Sequence, residues 1–241
     1  MLCTTKGIVL HSIPYKDTYS IIYMYTESFG RSSYMVSRRT GKKTSVSRSL
    51  FMPLSVLDLE VEHLNKRDIH KIKEARIAYP MNSILYDPVK NVLALFIAEV
   101  LFRAVKDTQP DERLFRFLSD SILLLDSVER GVANFHIVFL IHLLHYLGIY
   151  PNTEDRREGT YFDMMNGVFV MQQPSHPYFL SPSETKVMSR LLKITYENMS
   201  LYSFSRQDRV LIIQRLFDYY RLHLPDFAEI RSLQVLQALF D

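Results

Sequence analysis

The fold of this chain is decided by the stretch LDLEVE at residues 57–62, in which apolar and acidic residues alternate strictly. A period of two places successive side chains on opposite faces of a strand. The stretch therefore predicts a half-buried strand with one face in water, and the neighbouring segments can be interpreted around it.

Four further segments on either side of this stretch have the apolar or aromatic character of strands. They are Gly7–Ser12, which is expected to end before Pro14, Ile21–Tyr25, Ser32–Val36 and Ile69–Ile77. Turns containing glycine are expected at residues 29–31 and 40–42. Five short strands within roughly 75 residues are typical of a small antiparallel barrel, for which the OB-fold is the obvious candidate.

From about Met81 onward the apolar period changes to 3.6, which predicts helices. The expected helices are Val92–Val105, Leu114–Leu125, Phe135–Leu147, Pro182–Tyr196, Ser205–Leu222 and Arg231–Phe240. Gly148 stands where a helix C-terminal glycine belongs. Ser181 and Glu184 have the spacing of a capping box at the start of the fourth helix.

Together these patterns predict an α+β chain with two domains. An N-terminal five-stranded OB-like β-barrel, expected to bind nucleic acid, covers residues 1–80. A mostly α-helical C-terminal domain covers residues 81–241 and contains an irregular loop at about 151–180. Within that loop we expect a short hairpin around Tyr161–Met171.

The composition excludes several classes of protein. Of the 241 residues, 47% are hydrophobic and 23% are charged, which is ordinary for a globular chain. The single cysteine, Cys3, excludes an intrachain disulfide and any multi-cysteine zinc or iron–sulfur site. The apolar runs are too short for a signal peptide or a membrane span. We therefore expect a cytoplasmic protein with no membrane contact.

Charge is divided unevenly along the chain. Residues 1–80 hold 13 basic and 7 acidic residues, whereas residues 81–241 hold 16 basic and 19 acidic residues. Within the first part, the window Ser28–Leu57 contains no acidic residue at all. It carries six cations, namely Arg31, Arg38, Arg39, Lys42, Lys43 and Arg48. Such a segment attracts phosphates through counterion release, so it is the candidate nucleic-acid contact.

Aromatic rings lie close to the basic window in the sequence. They are Tyr15, Tyr19, Tyr23, Tyr25, Phe29 and Tyr34. Rings on the face of a barrel can stack on bases. Aromatic residues also dominate the interiors of small barrels, and for these rings we favour the core interpretation.

Motifs for catalysis are absent from the sequence. It contains no Walker A, GxGxxG, GxSxG or HExxH pattern. His142 and His145 share one face of an expected helix, but they lie in an apolar run, where core or boundary histidines are more common than metal ligands. We therefore expect no enzymatic activity, no catalytic residue and no metal site.

An ordered set of short segments resembles the bacterial recombination mediator family RecO. The segments are KGIVL at 6–10, YKD at 15–17, YTESFGR at 25–31, the basic residues from 38 to 43, LFMPL at 50–54 and LGIYP at 147–151. None is specific alone, but their order covers essentially the whole chain.

The resemblance implies an N-terminal OB domain and a helical C-terminal domain. It implies binding of single- and double-stranded DNA, annealing of strands, and help in loading recombinase onto strands coated by single-strand-binding protein. The implied partners are RecR and the acidic C-terminal tail of the single-strand-binding protein. No nucleotide cofactor is implied.

One departure from the family concerns zinc. Many members carry four cysteines in the loop that follows the LGIYP position, whereas residues 151–180 contain none here. His176 alone cannot hold structural zinc, which takes four nitrogen or sulfur ligands. We therefore expect no zinc cofactor and a loop held by packing. The residues expected to supply that packing are Tyr161, Phe162, Val168, Phe169, Tyr178 and Phe179.

The sequence is thus interpreted as a DNA-binding recombination mediator for recombinational DNA repair. Arg38, Arg39, Lys42 and Lys43 are predicted to contact phosphate, with Arg31 and Arg48 in support. Two alternatives stay open. One is a non-catalytic adaptor whose basic patch and helical groove bind acidic protein segments. The other is an RNA-binding OB protein.

Overall fold

The chain folds into two compact units in a computed structural model that describes residues 2–37, 47–64 and 66–239. The first unit extends to Val128 and also includes Ile230–Leu239, and the second comprises Glu129–Glu229. The expected domain boundary between residues 80 and 81 stays a prediction.

Five strands form the first part of the chain. They are β1 (Leu2–Tyr15), β2 (Tyr19–Thr26), β3 (Gly30–Ser37), β4 (Val56–Glu62) and β5 (Ile69–Ile77). They close into a barrel in the order β1-β2-β3-β5-β4. The β3–β5 pair is parallel and the other pairs are antiparallel. The predicted five-stranded barrel is confirmed.

The alternation in β4 has the predicted effect. Leu57, Leu59 and Val61 are buried in the barrel core, whereas Asp58 is exposed. The prediction that the first strand ends before Pro14 is wrong, since β1 continues to Tyr15. Only β2 pairs with that end of β1, because its pairing with β4 stops at residue 8. An edge position of this kind tolerates the missing N–H of proline.

Helices and three short strands make up the rest of the described chain. In order they are α1 (Pro88–Ala104), α2 (Glu112–Ser127), α3 (Phe135–Tyr146), β6 (Tyr161–Asp163), β7 (Val168–Val170), β8 (Phe179–Leu180), α4 (Pro182–Leu191), α5 (Arg206–His223) and α6 (Ser232–Leu239). The predicted mostly helical second part is confirmed. Among the described residues, none of these helices combines the length and the hydropathy that a membrane span requires.

In the first unit, two carboxylates join segments that are distant in sequence. Asp126 on α2 accepts backbone N–H bonds from residues 82, 83 and 84, between the barrel and α1, at 2.8–3.0 Å. Glu99 on α1 accepts backbone bonds from Arg231 and Ser232 at 3.0 and 2.8 Å. Because the first N–H groups of a helix lack intrahelical partners, Glu99 acts as the N-cap of α6 from a different helix.

In the second unit, the end of α3 and the start of α4 follow local signals, whereas the end of α4 differs from the prediction. Gly148 follows α3 with φ +70°, and the capping box of Ser181 and Glu184 opens α4. The predicted end of α4 at Tyr196 is wrong, because the helix ends at Leu191. After this end, the side chain of Asn198 accepts from the Thr195 N–H and donates to the Lys193 carbonyl. These bonds stabilise a tight turn in place of a further helical turn.

Candidate nucleic-acid interface

Four of the six predicted phosphate contacts lie outside the described residues. These are Arg38, Arg39, Lys42 and Lys43. Arg48 opens a short 3-10 helix that ends at Leu50, and its side chain also lies outside the description. For these five residues phosphate contact stays a prediction. We refer to residues 38–48 as the basic segment, and the structure does describe residues that flank it.

The basic segment begins at one end of the barrel. Ser37, the last residue of β3, pairs with Tyr19 at the start of β2. Tyr19 in turn pairs with Tyr15 at the end of β1. The two tyrosine side chains are 39% and 40% exposed, and the Lys16 ammonium lies 5.5 Å from the centre of the Tyr15 ring. The chain therefore enters the basic segment beside two exposed rings and a cation.

The six aromatic rings near the window fall into three environments. Tyr25 and Tyr34 are buried, as the core interpretation predicts, and burial raises the pKa of Tyr34 to about 12. Tyr23 and Phe29 are half-buried, whereas Tyr15 and Tyr19 are exposed. The core interpretation is thus right for Tyr25 and Tyr34, and Phe29 packs against the barrel core while partly exposed, whereas the exposed pair can reach bases.

Arg31 is anchored to the protein itself. Its Nη1 donates to the carbonyls of Phe102 and Val105 at 3.2 and 2.9 Å. These are carbonyls at the C-terminal end of α1, which lack intrahelical partners and favour a cation. The guanidinium also lies 4.5 Å from the centre of the Phe102 ring, and burial lowers the pKa of Arg31 to about 10. Its support for phosphate binding stays a prediction beside this structural role.

The turn before Arg31 explains why glycine is needed there. Gly30 has φ +56°, which few other residues adopt. A Cβ at this position would lie 2.6 Å from the carbonyl oxygen of Gln109 in the α1–α2 connection. In addition, the Arg31 N–H donates to the Asp107 carbonyl at 3.0 Å. The start of β3 is therefore packed tightly against the segment that follows α1.

A cleft of about 650 Å³ opens beside this contact. Its walls come from β2, the β2–β3 turn and β3, from the β4–β5 loop and the start of β5, and from the α1–α2 connection. They include Tyr23, Phe29, Arg31, Ser33, His63, Arg67, Asp68, His70, Lys106 and Gln109. We refer to it as the barrel cleft. It brings cations and aromatic rings together on the outside of the barrel.

Stacked rings form one wall of the barrel cleft. Phe29 and His63 are nearly parallel with centres 4.0 Å apart, and the centres of His63 and His70 are 3.8 Å apart. His70 Nδ1 accepts the Leu64 N–H at 3.3 Å and so holds the β4–β5 loop. Burial, with a smaller contribution from the facing histidine, lowers the pKa of His70, so its ring is held neutral near pH 7.

His63, Arg67 and Lys106 are not among the contacts predicted from the sequence. They lie outside the acid-free window, and Lys106 is distant from the other two in sequence. A signal was available for the first two, because the loop between strands four and five of an OB-fold is one that binds oligonucleotides. The part played by Lys106 depends on tertiary packing alone.

In the second unit, several polar contacts of the loop at 151–180 converge on Asp163. Its carboxylate accepts from the Met165 and Asn166 backbone N–H groups at 3.0 and 3.1 Å and from the Asn166 amide at 2.7 Å. His176 Nε2 lies 3.2 Å from the same carboxylate. Burial opposes ionisation, but the hydrogen bonds from Asn166, together with His176, lower the pKa of Asp163.

These residues do not fit a structural zinc ion. His176 already accepts the Tyr178 N–H with Nδ1 while its Nε2 faces Asp163. Throughout the ranges that the structure describes, no three His, Cys, Asp or Glu side chains converge as metal ligands. Zinc in structural sites takes four nitrogen or sulfur ligands, and this loop offers one histidine.

Apolar packing and a small sheet hold the loop at 151–180. β6, β7 and β8 form a three-stranded sheet in the order β7-β6-β8, and the predicted hairpin is confirmed by the β6–β7 pair. Phe162 and Phe169 are buried, and the Phe162 ring lies 5.7 Å from that of Tyr219 on α5. A Cβ at Gly167 would lie 2.7 Å from the Tyr219 hydroxyl, so only glycine fits beside it. Of the six expected packing residues, Tyr178 is exposed.

An apolar groove of about 280 Å³ lies between α4, α5 and the small sheet. Its apolar lining includes Phe162, Met164, Leu180, Met188, Leu191, Phe204, Leu211, Ile212 and Leu216. Arg190 and Arg215 are at its edge, where Arg215 Nη2 donates to Glu184 at 2.8 Å. We refer to it as the helical groove.

The two histidines considered as metal ligands, His142 and His145, make contacts with different parts of the chain. His142 Nε2 lies 3.0 Å from the Ile194 carbonyl oxygen. The ring of His145 is exposed and stacks on Tyr150 with centres 3.5 Å apart. Their side chains do not share a common ligand position with a third residue in the described chain.

Comparison with known proteins gives matches along the whole chain. Residues 1–81 match the family model described as "Recombination protein O N terminal", and residues 85–233 match "Recombination protein O C terminal". The chain is 44% identical to "DNA repair protein RecO" of Azobacteroides pseudotrichonymphae over 241 residues, which is the full length of both. It is also 44% identical to the protein of that name from Phocaeicola vulgatus and 32% identical to the one from Flavobacterium psychrophilum, each over the full length of both chains.

Proposed function

This chain belongs to the RecO family of DNA repair proteins, and we propose that it acts as a recombination mediator without catalysing a reaction. It binds single- and double-stranded DNA, anneals complementary strands and promotes recombinase loading on DNA coated by single-strand-binding protein. The observation that carries the proposal is the basic segment of the acid-free window, which follows Ser37 beside the exposed rings of Tyr15 and Tyr19.

The chemistry of that barrel end suits DNA of any sequence. Lysine and arginine neutralise phosphates and position the backbone, but they carry little information about bases. Exposed tyrosines stack on every base, since each base has a π face. A protein that neutralises two strands and leaves base edges free would favour their pairing, which is the expected basis of annealing.

The test is binding of a labelled single-stranded DNA across a salt series. A variant with Arg38, Arg39, Lys42 and Lys43 changed to glutamine should bind more weakly, with a log–log salt slope shallower by up to about 3, at about 0.7 per lost phosphate contact. The matched control changes four exposed cations elsewhere, Arg113, Arg130, Lys186 and Lys193, and should bind like the native protein. Equal binding by both variants would remove the basic segment from the proposal.

Two further measurements address the finer parts of the proposal. Competition between DNA and RNA oligonucleotides of matched sequence should show no preference for RNA, and a clear RNA preference would favour the RNA-binding alternative. Elemental analysis of the purified protein should find no stoichiometric zinc, because the loop around Asp163 offers no ligand set for it.

A second role, as an adaptor for acidic protein segments, is favoured by the helical groove. Its apolar floor suits the apolar side chains of a peptide, and Arg190 at the edge offers a cation to acidic ones, while Arg215 is paired with Glu184 and Asp208 also lines the groove. We propose that the C-terminal tail of the single-strand-binding protein binds there, and that RecR is a second protein partner.

A labelled copy of that tail provides the test of the groove. The change Leu211→Glu places a charge in the groove and should weaken binding of the peptide. Leu201→Glu is the matched control, because Leu201 is more exposed and does not line the groove. If both variants bind the peptide like the native protein, the tail binds elsewhere.

A further inference from the structure

We propose that the barrel cleft is a second contact for single-stranded nucleic acid and binds one nucleotide, distinct from the basic segment at the other end of β3. The inference rests on the proposed function and extends it to a site of named residues. The cleft volume of about 650 Å³ lies within the range of about 300–1,000 Å³ that is usual for small-molecule sites.

Cations on two separate segments would contact the phosphate of the nucleotide. Arg67 comes from the β4–β5 loop and Lys106 from the α1–α2 connection, and both side chains are exposed at the cleft. The Arg31 guanidinium also lines the cleft, and its bonds to the carbonyls of Phe102 and Val105 fix its position. Asp68 is the acidic residue of the lining, so the cleft carries net positive charge.

The aromatic wall of the barrel cleft would pack against the base of the nucleotide. Phe29 and His63 are half-buried and parallel, His70 covers the other face of His63, and Tyr23 on β2 also lines the cleft. The parts of these rings that stay exposed offer apolar surface at little further entropic cost, because packing has already fixed the rings. An aromatic wall beside cations is the combination that single-strand-binding surfaces use.

The position of the cleft fits a strand that also touches the basic segment. Ser33 lines the cleft and Ser37 precedes the segment, so the two contacts are separated by about 13 Å at roughly 3.3 Å per residue. Between them the exposed Lys71 of β5 pairs with Met35. One OB-fold typically covers about 4–16 nucleotides, which is enough to reach both contacts.

The first experiment changes the charge of the cleft. Arg67→Gln with Lys106→Gln should reduce affinity for single-stranded DNA roughly tenfold at low salt and make the salt slope shallower by about 1.4. The control, Lys186→Gln with Lys193→Gln, removes the same charge from the second unit and should leave both quantities unchanged. Because all four side chains are exposed, each variant should keep the melting temperature of the native protein.

The second experiment separates the base contact from the phosphate contact. Phe29→Leu with His63→Gln should lower affinity for normal single-stranded DNA roughly 5- to 100-fold, with an unchanged salt slope. On an abasic oligonucleotide of the same length, this variant and the native protein should bind equally, because no base is present to pack against the rings. Arg67→Gln with Lys106→Gln should still weaken binding of the abasic strand.

The outcomes distinguish this inference from the proposed function. If the variant in the basic segment loses affinity but both cleft variants bind like the native protein, the cleft is not a contact and the proposed function stands. If the ring variant weakens binding of normal and abasic strands equally, the base contact is wrong. Absence of DNA binding by the native protein would overturn both proposals.

Discussion

The barrel of the first unit and the small sheet of the second are held in different ways. In the barrel, every strand pairs with two neighbours, and alternating side chains such as Leu57, Leu59 and Val61 fill the interior. The strands β6, β7 and β8 are only three, three and two residues long, and they form an open sheet. Such short strands depend on side-chain contacts from outside the sheet.

The difference shows where stability is concentrated in each region. Closure and a repeated alternation spread the stabilising contacts of the barrel over many residues. The small sheet depends on two buried rings, Phe162 and Phe169, and on one carboxylate, Asp163, which is next to Phe162 on the same strand. Single substitutions at Phe162 and Asp163 should therefore have larger effects than changes at most positions of a loop.

The largest effect is expected from Phe162→Ala. The ring is 1% exposed and packs against Phe169 and Tyr219, with centres 5.0 and 5.7 Å away. Removing a buried phenyl ring leaves a cavity and should lower the free energy of unfolding by about 3–5 kcal/mol in urea denaturation. Tyr178→Ala, at a ring that is 50% exposed, serves as the control and should cost much less. A similar cost for both would show that the sheet does not depend on the buried ring of Phe162.

Asp163→Ala should give the next largest effect. It leaves the N–H groups of Met165 and Asn166 and the Asn166 amide without their acceptor. Unpaired buried donors cost about 1–3 kcal/mol each, so we expect the free energy of unfolding to fall by about 2–3 kcal/mol after partial hydration. Asp155→Ala, at an exposed position of the same loop, should change it by at most about 0.5 kcal/mol. Addition of a chelator should alter neither variant, and a chelator effect on the native protein would contradict the expectation that the loop holds no metal.

In the barrel, Arg31→Ala is expected to have a somewhat smaller effect of about 2 kcal/mol. The change removes charged hydrogen bonds to the Phe102 and Val105 carbonyls, which contribute about 1.5–3 kcal/mol in comparable cases. Arg67→Ala removes an exposed cation and should leave the melting temperature unchanged. If Arg31→Ala keeps native stability but loses DNA affinity, Arg31 contacts phosphate and is not primarily an anchor.

The sequence allowed prediction of features that depend on neighbouring residues. The strict alternation of residues 57–62 and the capping box at Ser181 were sufficient to place β4 and the start of α4. The anchoring role of Arg31 could not be predicted in this way, because the carbonyls that it binds lie at the end of a helix more than 70 residues later in the chain. The barrel cleft was missed for the same reason, because Lys106 joins His63 and Arg67 only through the packing of the α1–α2 connection on Gly30.

The smallest effect, and the one most sensitive to pH, is expected from Glu99→Gln. Burial alone would raise the pKa of Glu99, but hydrogen bonds from Ser232 and Arg231 lower it in the folded protein. Loss of an N-cap costs about 1 kcal/mol, so the variant should be less stable than the native protein at pH 7. Because the folded pKa lies below the unfolded value, this advantage is complete above the unfolded pKa and is lost as the pH falls through the folded pKa. Stability curves of the two proteins should therefore converge in acid, and a constant difference down to the lowest pH would show that Glu99 does not act on α6 through its charge.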